Sequence, residues 1–158
     1  MASLIRPPSP AIVLPVTGPF TAASITIAFA ANAYKRIDIT VDWNAGTLSN
    51  VALTGMAAAS YNQEQVFGSN AAPGSSGITG ANNWAIAASS GPGTALMFLA
   101  IPPAPSRKGM TLDVVQTGGT MVGLSAYCMN TDAANDPTAV VLTFDASRTG
   151  YIYAVGYQ

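Results

Sequence analysis

The stretch YKRIDITVDW, residues 34–43, constrains the fold of this chain more than any other. Ile37, Ile39, Val41 and Trp43 share one parity, while Arg36, Asp38, Thr40 and Asp42 share the other. A period of two places the first set on one face of a strand and the second on the opposite face, so the segment reads as a half-buried β-strand. Just upstream, SITIAFA sets Ile25, Ile27 and Phe29 against Ser24, Thr26 and Ala28. The short link Ala31-Asn32-Ala33 between the two runs predicts that they pair antiparallel.

The same reading continues along the chain. After the turn residues of NAG, LSNVALTGM predicts a strand with Val51 and Leu53 facing inward. In TLDVVQTGGTMVGLSAYCM, Gly118-Gly119 lies between two β-rich runs and signals a hairpin. TAVVLTFDA and GYIYAVGYQ, separated by residues that include Ser147, Arg148 and Gly150, predict a final hairpin. Residues 68–94 carry six glycines, two prolines and no charge, and read as a long loop with one short strand around Trp84 to Ala87. TGMAAASYNQEQVFG could form one short helix, although no 3.6-residue period runs through it.

The sum is an all-β fold, a β-sandwich or jelly roll of about eight to ten antiparallel strands with at most one short helix. A length of 158 residues suits one domain. It divides into residues 1–20, an extended arm or edge strand, and residues 21–158, the sandwich with its loop at 68–94.

Composition bears on what such a domain could do. Only 8 % of residues are charged, against about 25 % in typical chains. A surface made mostly of Ala, Gly, Ser, Thr and Asn suits a protein packed against copies of itself or a partner, or else a weakly charged monomer. The six Lys and Arg residues are Arg6, Lys35, Arg36, Arg107, Lys108 and Arg148. They form no basic stripe, which argues against nucleic-acid binding. No apolar window approaches a membrane span, and AIVLPV is too short and too interrupted for a signal peptide. Synthesis in a cytoplasm is the expectation, with no membrane partner.

The chain has no histidine, which removes the general base of His-dependent hydrolases and the imidazole ligands of zinc sites. Asp132, Asp136, Asp145 and Glu64 could pair as acid and base, but scattered acids are also what solubility requires. Asp132, Asn135 and Asp136 in NTDAANDP could present oxygens to calcium, yet they are equally ordinary turn formers. GPGTAL lacks the lysine of a phosphate loop. No enzyme activity, catalytic residue, metal or cofactor is expected. Cys128, the single cysteine, reads as a small buried hydrophobe or, alternatively, a free or bridging thiol. Tyr151, Tyr153 and Tyr157 share one parity and, extended by Trp43 and Trp84, could form a sugar-stacking platform or simply pack across strands.

Taken together, the strand pattern, the missing histidines and the charge-poor surface over residues 1–158 give a chain that resembles the head decoration, or cement, proteins of tailed bacteriophages. The resemblance implies a β-rich domain, often trimeric, on the capsid surface of a virion, bracing neighbouring major capsid protein subunits through extended termini. A lectin-like or receptor-binding module is the alternative.

Pro7, Pro8, Pro10, Pro15 and Pro19 interrupt the apolar N-terminal run. They stiffen it toward extended or polyproline geometry. Leu4, Ile5, Ile12, Val13, Leu14, Val16 and Phe20 are then candidate interface residues of a docking arm, or AIVLPV is an edge strand of its own domain.

Overall fold

A computed structural model describes residues 10–69, 74–86, 91–116 and 121–158. It is all-β: β1 (Ala11–Val13), β2 (Gly18–Ala28), β3 (Arg36–Trp43), β4 (Leu48–Thr54), β5 (Tyr61–Ser69), β6 (Gly74–Ala81), β7 (Trp84–Ala85), β8 (Gly93–Ala100), β9 (Lys108–Gln116), β10 (Met121–Asn130) and β11 (Ala139–Tyr157). All pairings are antiparallel, in the order β6-β5-β10-β9-β8-β3-β11-β4-β7, with β1 and β2 also on β11. The sheet curls until it nearly closes into a barrel.

β11 organises this arrangement. The expected final hairpin is instead one strand of 19 residues. Its first half pairs with β4 and the end of β2, and its second half with β3, β1 and the start of β2. The register slips between Thr143 and Arg148 on the β2 side. There Asp145 accepts from the Thr47 amide at 3.0 Å and binds the Arg148 guanidinium at 2.9 and 2.7 Å.

The bend must be sharp. A straight strand of that length would span about 60 Å. Yet Phe29 N–H donates to the Thr138 carbonyl at its start and Lys35 N–H to the Tyr157 carbonyl at its end, and the backbone between them reaches only about 20 Å. A bulged strand that changes direction this way lets one sheet form both layers around a core. Gly150 sits where β11 passes β3, and any Cβ there would strike the Asp42 carbonyl.

Alternation puts Ile37, Ile39, Val41 and Trp43 inside, together with Ile25, Ile27, Val51 and Leu53. The β9–β10 pairing also agrees with the expected hairpin, although Gly118 and Gly119 lie outside the described residues. Other expectations are corrected. β2 and β3 do not pair with each other; each pairs with β11, from opposite edges. Residues 74–81 of the expected loop form strand β6, and residues 61–69 form β5, so the described residues contain no helix. Gly74, Gly77 and Gly80 in β6 have low strand propensity, and pairing with β5 overrides it.

Residues 11–13 pair with β11, and β2 already begins at Gly18, ahead of the expected boundary at 20. Leu14 is buried in the chain's own core, Val16 packs against it, and Phe20 stacks on Phe144 with ring centroids 5.6 Å apart. These three side chains are therefore occupied at home. Ile12 and Val13 remain exposed, and Leu4 and Ile5 lie outside the described residues.

Candidate functional site

Closure of the barrel is achieved by side chains. The Tyr61 hydroxyl accepts from Leu53 N–H and donates to Leu53 C=O, both at 2.9 Å, joining β5 to β4. Gln63 Nε2 donates to the Ala85 carbonyl at 2.6 Å, joining β5 to β7. Trp84 packs edge-on against Tyr61 and donates from its indole to the Met129 carbonyl at 3.4 Å. Trp84 is fully buried. It cannot face a ligand, because the seam needs both its ring and its N–H.

Tyr151 and Tyr153 do face outward, 50 % and 46 % exposed, and Tyr157 is half-buried under the Arg36 guanidinium, 5.2 Å from its ring centre. Their row continues across the sheet, since Tyr153 pairs with Thr40 and Thr40 with Leu96. Beyond it, the outward positions of β8, β9, β10 and β5 expose Leu96, Phe98, Val115, Tyr127, Met129 and Val66. Tyr127 is 70 % exposed, Val115 and Val66 each 58 %. Apolar and aromatic side chains thus stand exposed on β11 and again from β8 to β5, with the polar outward row of β3, Arg36, Asp38, Thr40 and Asp42, between them.

Except for Glu64 on β5, the charges on this face are engaged locally. Arg36 binds Asp38 through two contacts of 2.6 Å, Asp42 accepts from Thr94 at 2.6 Å, and Asp113 accepts from Ser125. The Asp38 and Asp42 partners lie on the face itself, so covering it would strand few unpaired ions.

Toward one end the face dips into a trough of about 700 Å³. Ala100, Gly109 and Gly77 leave its floor low, while Phe98, Tyr127, Met129 and Ile78 rise around it. Sequence reasoning did not single out these residues. A signal existed, since ALMFLA places large apolar groups on both parities, the pattern of a strand covered on both faces.

The remaining candidates are structural. Asp132 accepts from the Ala57, Ala134 and Asn135 amides and from the Asn135 side chain. The Asn135 side-chain bond and those amides hold its carboxyl below the usual range. At Asp136 burial pushes the pKa upward, but hydrogen bonds from Asn32 and Lys108 outweigh it and the net shift is downward. Lys108, fully buried, lies 3.2 Å from Asp136 and donates to the Ser106 carbonyl at 2.7 Å. Carboxylate oxygens of Asp132 and Asp136 thus accept from N–H donors of the chain itself. Among the described residues no group of three His, Cys, Asp or Glu side chains could hold a metal. Cys128 is buried, and burial pushes its thiol pKa up to about 12. No helix among the described residues is long and apolar enough to cross a membrane. No protein-family model matches the chain, and none of the curated proteins compared with it matches.

Proposed function

We propose that the protein is a non-enzymatic structural component of a virus particle, a decoration protein that binds major capsid protein subunits of the assembled shell and stabilises it. The observation that carries this reading is the outer face of β11, β3, β8, β9, β10 and β5. Tyrosine, phenylalanine, methionine and aliphatic side chains stand exposed there, and the ions of β3 and β9 among them are locally paired or hydrogen-bonded. Aromatic residues and methionine are enriched at protein interfaces while unpaired charge is depleted, and a contact of this kind works by area and shape without a reactive group. Repetition over a shell adds avidity, and a trimer would present three such faces at once.

Incubating the protein with expanded, undecorated phage heads tests the proposal. Binding accompanied by a higher melting temperature of the heads is expected, and the absence of both would overturn it. A second reading, a carbohydrate-binding module, draws on Tyr151 and Tyr153, whose rings stand half out of the sheet. Binding on a glycan array with none to heads would favour that reading.

A further inference from the structure

We infer that the free edge of β2 is a self-association site, where residues 24–28 pair antiparallel with the same residues of a second copy about a two-fold axis at Thr26. The inference concerns a sheet edge and does not depend on what the outer face contacts.

β2 bonds to β11 on one side, and among the described residues no strand pairs with its other side. Two separate contacts fix which backbone groups point there. Phe29 N–H donates to the Thr138 carbonyl, so alternation directs Ile27 and Ile25 to the β11 ladder as well. Leu53, which pairs with Val140, turns both its N–H and its C=O to the Tyr61 hydroxyl. Val140 therefore bonds across to Ile27, in the same phase. The N–H and C=O groups of Ser24, Thr26 and Ala28 are left facing the free edge, and their side chains are exposed.

Free edges are commonly blunted by charge or proline. Asn44 N–H takes the Thr149 carbonyl toward β3, which leaves Gly150 to bond Phe20 and turns Pro19 to the free edge. Residues 24–28 contain neither device, and they are complementary to themselves. With Thr26 opposite Thr26 of the second copy, Ser24 falls opposite Ala28 and Ala28 opposite Ser24, and each pair exchanges both N–H···O bonds. On the outer side threonine meets threonine, a favourable cross-strand pair. On the inner side Ile25 falls opposite Ile27 of the second copy, and since both are buried core side chains, the core row continues into that copy. No like charges are opposed, because residues 7–34, β4 and residues 139–144 of β11 carry none. The edge at the other end of the sheet, β6, has three glycines and no buried side chain, so a strand added there would find no core row to continue.

Light scattering on the full chain tests the inference. The wild type should have twice the mass of one chain. Thr26→Lys and Thr26→Glu, at an exposed position, put like charges on residues whose Cα atoms would lie about 5.5 Å apart across the axis, and each should have the mass of one chain. Mixed in equal amounts, the two variants should return to the doubled mass, because lysine then faces glutamate. Hydrogen exchange needs no variant. The Ser24, Thr26 and Ala28 amides of the wild type should be protected at high protein concentration and exchange fast on dilution, while Ile27, in the β11 ladder, stays protected throughout. A wild type with the mass of one chain or of three, variants as heavy as the wild type, a mixture that stays light, or edge amides whose exchange ignores concentration would each overturn the proposal.

Discussion

Asp145 shows how much of this fold one side chain can direct. It stands at the bend of β11, where the Thr47 amide, and then the Arg148 guanidinium, hold its carboxyl below the ordinary range. A depressed folded-state pKa contributes stability that is present above the unfolded value of about 3.9 and is lost as pH falls through the folded value. Asp145→Asn should therefore lower the melting temperature at neutral pH and make the loss of stability below about pH 4 shallower. Asp132 and Asp136 are shifted in the same direction, so part of the acid limb should persist. Melting curves of both proteins across the acid range check this, and parallel curves would refute it. The contact of Asp145 with Thr47 was not readable beforehand, because Thr47 is far from it in sequence and meets it only once β4 and β11 pair.

At the scale of elements, strands were legible wherever one face is apolar and the other polar. Ile37, Ile39, Val41 and Trp43 are inside because burying that parity is the only arrangement that removes four large side chains from water together. Partner choice was not legible. β2 and β3 are adjacent in sequence, yet each gains more by lying on one edge of β11, whose two halves offer long complementary ladders. The seam at β5 follows the same logic, since Tyr61 joins two strands through one hydroxyl and a ring against Trp84. Tyr61→Phe keeps the ring and strands the buried Leu53 N–H and C=O without this partner. Leaving a buried polar group unsatisfied costs about 1–3 kcal/mol. A loss in that range is expected by urea denaturation, and an unchanged midpoint would show that the seam does not need the hydroxyl.

For the whole molecule, the consequence is a barrel-like body with an unusually apolar side. Leu96 and Val115 lie on that side and outside the core, so replacing both with lysine, which at 96 faces Asp113 across the β8–β9 ladder, should leave the melting temperature of the isolated chain nearly unchanged. If the face joins copies of the chain, light scattering should show the wild type growing in mass with concentration past the mass of the double variant. Identical masses for the two would exclude this face from self-association.

The strand class, the parity of the core and the scarcity of ions are legible in the chain alone, because each follows from local alternation or from counting. So is the double apolar parity of ALMFLA. Folding in three dimensions adds that β11 is one bent strand, that Leu14 belongs to the core and Phe20 packs against it, that Trp84 closes a seam, and that the tyrosine row and the trough lie on the outer side of the sheet. Each of these depends on which distant strands pair and in what register. Register is set by summed burial over the whole sheet, a quantity no single segment contains.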